Sequence, residues 1–165
     1  MKIDVQNQII FLLDNDSEGV EAYNKIIKMK LPNNMSCICL PDLKDFESFP
    51  TCGPEGQILS NVNRTAAAIE CYLDLTYSEY ESYTVRWTNY KKETGKYQGA
   101  LEFKEYYAKR FLDISEDKLI NGKYDTLKLK ALLNAIIESA FKLSGTIRIE
   151  EIKNHYPNIW TEEKN

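Results

Sequence analysis

Five apolar residues in a row, Ile9-Ile10-Phe11-Leu12-Leu13, stop abruptly at Asp14-Asn15-Asp16. An apolar run of this length without alternation reads as a parallel strand buried on both faces. Directly behind it, Val20, Tyr23, Ile26 and Ile27 recur at helical spacing over residues 17–29. Asp16 or Ser17 can cap that helix, and Glu18 and Glu21 suit its electropositive first turn. Leu31-Pro32-Asn33-Asn34 ends it. A second short apolar run at residues 36–40 closes at Pro41-Asp42. Strand, helix and strand make a βαβ unit, with parallel strands and a right-handed crossover.

The periodicity then breaks. Pro41, Pro50, Gly53, Pro54 and Gly56 punctuate residues 41–62, which read as a long loop held down by Leu43, Phe46 and Phe49. Ala66, Ile69, Tyr72 and Leu73 predict a short helix over residues 63–75. Residues 84–90 and 96–101 flank a turn in which Gly95 supplies the positive φ of a β-hairpin. Helices are expected at 102–112 and, more strongly, at 126–143, with Leu129, Leu132, Leu133, Ile136, Ile137 and Ala140 inward. A further short helix is expected within 147–160, ending before Pro157. The fold class is therefore α/β: a βαβ unit with a long loop over residues 1–62, then an α+β extension, hairpin and C-terminal helices, over 63–165. One βαβ unit supplies only two parallel strands. Either the hairpin extends that sheet, or an open edge remains, which proteins rarely leave uncovered.

With 43% hydrophobic and 28% charged residues, the chain has the composition of a globular domain. It has no apolar run long enough to cross a bilayer and no signal-peptide pattern, so a cytoplasmic protein without a membrane partner is expected. The net charge of −4 is unevenly spread. Residues 1–82 carry 6 basic and 13 acidic side chains, whereas 84–110 carry 7 basic and 3 acidic. An acidic front followed by a basic, aromatic-rich middle is compatible with a cation site in the first part and phosphate contacts in the second. The four cysteines, Cys37, Cys39, Cys52 and Cys71, form no CxxC pair, and Cys37 and Cys39 read as small buried hydrophobes. His155, the only histidine, is far in sequence from the four cysteines and reads as structural.

The candidate chemistry lies where the first strand ends. Ligands of open α/β sheets bind at the carboxyl ends of strands, and Asp14 and Asp16 stand there one pleat repeat apart. Two carboxylates beside a helix N-terminus suit Mg²⁺ or Mn²⁺ and, through it, a phosphate. Asp42, at the end of the second strand, falls on the same sheet edge and is the candidate third ligand, against a plain role in opening the following loop. Arg86, Lys91, Lys92 and Lys96, interleaved with Tyr90 and Tyr97, form the candidate nucleic-acid surface, with DNA and RNA both open, whereas hairpin alternation puts Trp87 on one face with Val85, towards the core.

Residues 11–19, followed by a helix and the strand ending at Leu40-Pro41-Asp42, resemble the second half of a TOPRIM domain. The likeness covers residues 8–42 and rests on the Asp-x-Asp pair, Asp14 and Asp16, with Gly19 just after. It implies Mg²⁺ held by those carboxylates for nucleotidyl transfer or phosphodiester cleavage. Phe49-Pro50, Gly53-Pro54 and residues 64–70 are similar to the region following that segment in bacterial HEPN/TOPRIM-associated proteins, which implies a role in phage defence. The family's acid/base Glu ends a strand well before the Asp pair. Here the 13 residues before Asp14 hold no Glu and only one carboxylate, Asp4. Two expectations follow. The chain is part of a metal-dependent enzyme acting on nucleic acid, completed by a missing TOPRIM half or a partner subunit; or it is a non-catalytic binding or regulatory module, or a truncated fragment.

Overall fold

The computed structural model describes residues 7–91 and 95–155, excluding the side chains of Asn89, Lys91, Lys96 and 146–155. The chain is a mixed α/β protein with parallel strand pairs and, among the described residues, four helices. Strand β1 (Ile9–Leu13) runs into the two-residue β2 (Asn15–Asp16), helix α1 (Ser17–Ile26) and strand β3 (Met35–Cys39). β1 and β3 pair in parallel, from Ile9 opposite Met35 to Leu13 opposite Cys39, which is the βαβ unit the sequence predicts.

The apolar run of β1 is nevertheless not enclosed. None of its residues is fully buried, and Ile9 and Phe11 are 39% and 41% exposed. Two strands form a narrow ribbon. α1 touches it, as does the C-terminal helix, yet too little of either face is covered for the expected double burial. The core lies elsewhere, around Phe46, Phe49, Val62, Tyr72, Leu75, Val85 and Leu101, and it draws on residues from both sides of position 62.

Residues 41–62 are more ordered than a loop. A 3₁₀ turn at Lys44–Phe46 buries Phe46, and β4 (Phe49–Gly53) and β5 (Gly56–Ser60) form a hairpin turning on Gly56 at φ 88°. Pro50 is tolerated because pairing with β7 (Val85–Lys91) starts one residue later, at Thr51 opposite Val85. β7 and β8 (Lys96–Leu101) make the expected hairpin, with Gly95 at φ 65°. This hairpin does not extend the β1–β3 pair. It joins a separate sheet of order β5-β4-β7-β8.

The helix expected over 63–75 does not form either. Ala66–Ala67 is instead β6, antiparallel to β2, and Ile69–Tyr72 is a 3₁₀ turn. Helix propensity is overridden by pairing with a strand 50 residues away, which packs both alanines into the core. After β8 come α2 (Lys104–Leu112), the unanticipated α3 (Glu116–Ile120) and α4 (Leu127–His155). α4 is one 29-residue helix, where the sequence predicts two. Gly145 sits inside it without breaking it, since an isolated glycine weakens a helix by only about 1 kcal/mol. Among the described residues, no helix is long and apolar enough to cross a membrane.

Candidate functional site

The β1–β2–α1 junction is built by three backbone contacts. Asp16 is the N-cap of α1, its Oδ1 accepting the Gly19 N–H at 2.7 Å. Gly19 is required there for space. A Cβ at this position would stand 2.0 Å from the backbone oxygen of Asp14, so α1 can approach the end of β1 only with hydrogen in that place. From the other side, the Ile69 N–H donates to Asp14 Oδ1 at 3.1 Å. The carboxylates of Asp14 and Asp16 are thus each held through one oxygen by a backbone donor. Among the described residues, no hydrogen bond occupies Oδ2 of either.

Asp14 as a residue is exposed, yet the protein packed against its carboxyl pushes its pKa above the usual carboxylate range. Desolvation is the larger cause and the nearby charge of Asp16 the next; the Ile69 N–H and Lys104 pull the other way, and Glu70 adds to the rise. This carboxylate is short of positive charge.

Asn15, between them, does something the sequence did not announce. It is buried, and its Nδ2 donates to Asp42 Oδ1 at 2.9 Å while its Oδ1 accepts the Arg64 N–H at 3.1 Å. Arg64 closes the ring by donating from Nε to Asp42 Oδ2 at 2.9 Å. Its backbone is left-handed at φ 59°, a conformation held by that bond to Asn15. Asp42 therefore gives both oxygens to protein donors. Strand alternation places Asn15 opposite its two neighbours, but its partners, 27 and 49 residues away, cannot be read from the sequence.

A cavity of about 320 Å³ opens over this ring, lined by Asn15, Tyr23, Asn24, Cys39, Asp42 and Arg64 among others. It lies at the carboxyl ends of β1 and β3, where the fold class places ligands. Burial pushes the Cys37 and Cys39 thiols up, so neither is poised as a thiolate. Both are half-buried, not enclosed, and the fully buried cysteine is Cys71, whose thiol is pushed up to about 12 by burial.

Of the basic candidates, Arg86 is the one with a described side chain. Arg86 donates to Glu102 at 2.6 Å, so its charge is already matched. Lys92 lies outside the described residues, as do the side chains of Lys91 and Lys96. Tyr90 and Tyr97, paired across the hairpin, have ring centroids 5.0 Å apart.

The donors at the β1 end suit magnesium. Asp14 and Asp16 offer hard oxygen only, and Mg²⁺ is usually held by one or two carboxylates, keeping other positions for water and substrate phosphate. Among the described residues, no group of three His, Cys, Asp or Glu side chains is placed to share a metal ion. Comparison with protein-family models, curated proteins and solved structures gives no significant match.

Proposed function

We propose that Asp14 and Asp16 hold one divalent cation, Mg²⁺ or Mn²⁺, and that the chain takes part in TOPRIM-like phosphodiester cleavage or transfer on nucleic acid as one component of a larger protein or complex. The observation that supports this most is the Asp14 carboxyl. It is oriented by a backbone N–H, desolvated, and set beside a second carboxylate, an arrangement that a cation would relieve. When bound, the ion would neutralise charge on a phosphate and polarise an attacking water. The chain's own residues do the remaining work: Gly19 lets α1 close on the strand end, and the α1 N-terminus adds a favourable field for phosphate. Asp42 joins the cation only if Arg64 releases it.

The test is Mn²⁺ binding by electron paramagnetic resonance, on the wild type and on Asp14→Asn with Asp16→Asn. Asparagine caps helices as well as aspartate does and keeps the acceptor for the Ile69 N–H, so the fold is retained. Stoichiometric binding lost in the double variant is the expected result. Binding indifferent to both substitutions contradicts the reading.

A second reading, a non-catalytic interaction module, is favoured by a different surface. Leu133 and Ile137, which the helical pattern predicts inward, instead stand with Phe141 at four-residue intervals on α4 and are 53%, 50% and 73% exposed. A contiguous exposed apolar patch is a mark of protein–protein contact. Sedimentation of Phe141→Glu against wild type separates the cases: a change in mass favours the module.

A further inference from the structure

The sheet of order β5-β4-β7-β8 carries a second concavity, of about 320 Å³. Its apolar lining includes Trp87, Tyr97 and Ile58, and its polar lining Asn61, Thr65 and Glu55. The size is at the lower end for small-ligand sites, roughly 300–1,000 Å³. Two glycines decide how the indole sits. Gly99 lies opposite Trp87 on β8, and Gly53 is its neighbour on β4. A Cβ at Gly99 would come within 2.6 Å of the ring, and one at Gly53 within 3.0 Å. The absence of side chains on both flanking strands lets the ring settle against the sheet while it still lines the cavity. Tyr97, 43% exposed, supplies a second aromatic wall.

The cavity adjoins the strand-end carboxylates through Thr65. Thr65 lines it, bridges to Asp16, and accepts from both the N–H and the hydroxyl of Ser17 through its carbonyl. The β8 residue Gln98 donates to Glu18 in the first turn of α1 at 2.7 Å, which fixes the hairpin beside the same helix end. We infer that this cavity receives an unpaired base of a single-stranded nucleic acid, stacked on Trp87 and Tyr97. The inference rests on the nucleic-acid reading above and names the part of the substrate it engages. Arg86, the basic residue of the hairpin with a described side chain, is already matched by Glu102, so the base is recognised by stacking and not by charge. Glu55 at the cavity repels a phosphate and accepts from an exocyclic amine, so the base enters and the backbone stays outside. Asn61 keeps its amide NH₂ as a donor, since its Oδ1 is taken by the Asn63 N–H. Sequence-tolerant stacking of this kind is how single strands are held without reading them.

The experiment is a fluorescence titration of the full chain in a chelator, with Trp160→Phe so that Trp87 is the sole indole. The probes are a twelve-residue oligoadenylate, as DNA and as RNA, an abasic oligomer of equal length, and tetramethylammonium. Saturable quenching by either base-bearing oligomer is expected, with roughly 5- to 150-fold weaker binding of the abasic one, the worth of an aromatic stack. Tyr97→Leu, at an exposed position that leaves the fold intact, should weaken the oligomer by a comparable factor. Quenching is read in chelator on the wild type and Tyr97→Leu, and Mn²⁺ binding in a separate titration, so failure of the cavity assignment and failure of the carboxylate reading are separate results. Equal binding of abasic and base-bearing strands, indifference to Tyr97→Leu, or quenching by tetramethylammonium alone would overturn the assignment.

Discussion

Two aspartates in this chain illustrate opposite uses of a carboxylate. Asp74, at the joint before α4, accepts the Thr76 N–H and hydroxyl through Oδ1, at 3.0 and 2.6 Å, and the Asp125 N–H through Oδ2, at 2.9 Å. Burial alone would raise its pKa, yet these hydrogen bonds together hold it below the usual range. Asp14 has one backbone donor and a second carboxylate beside it, and its pKa is raised. The first carboxylate is satisfied by the fold and belongs to it. The second is left beside a like charge, the imbalance that the proposed cation would relieve.

The largest effect is expected at Gly19. Gly19→Ala drives a methyl group into the Asp14 carbonyl and should cost about 3 kcal/mol, lowering Tm by roughly 6–12 °C in a calorimetric scan. Asp74→Ala comes next. Loss of three hydrogen bonds to a carboxylate should cost about 2 kcal/mol by urea denaturation, with the loss centred on the start of α4 in hydrogen exchange. Asp16→Ala removes the α1 cap and should cost about 1 kcal/mol, whereas Asp16→Asn should be near neutral.

The smallest effect has the reverse sign. Asp14→Asn should raise Tm in a chelator at pH 7 by roughly 1–3 °C, a modest gain because water screens this exposed residue. The pH dependences then separate the two sites. A raised folded-state pKa means Asp14 weakens the fold above its unfolded value, near 3.9, and ceases to do so below it. The advantage of Asp14→Asn should therefore vanish as pH falls to about 3.5. Asp74, with its lowered pKa, contributes stability at neutral pH that is lost as pH falls through its folded value, below 3.8. Parallel pH profiles for the two variants would remove the distinction.

What the sequence made legible was local. The β1–α1–β3 unit, the Asp16 cap and the Gly95 turn all follow from residues within a few positions of one another. Long-range pairing was not legible. Ala66 and Ala67 carry helix propensity, and only their partner β2 makes them a strand. Pro50, Gly53 and Gly56 read as loop formers, although the register with β5 and β7 makes β4 a central strand. The site divides in the same way. Asp14 and Asp16 stand out because they follow an apolar run. Asn15, Arg64 and Ile69, which orient Asp14 and occupy Asp42, are joined to them only by the fold.

The central claim is that Asp14 and Asp16 await a divalent cation. The direct measurement is Tm with excess Mg²⁺ and with chelator, at matched ionic strength, for the wild type and for Asp14→Asn with Asp16→Asn. A hundredfold excess over Kd adds about 2.7 kcal/mol, or roughly 5–10 °C for a chain of this size. The wild type should gain it, and the double variant should be more stable in chelator and gain nothing from Mg²⁺. A wild type unmoved by Mg²⁺, or equal gains in both proteins, would contradict the claim and leave the two aspartates as parts of the fold alone.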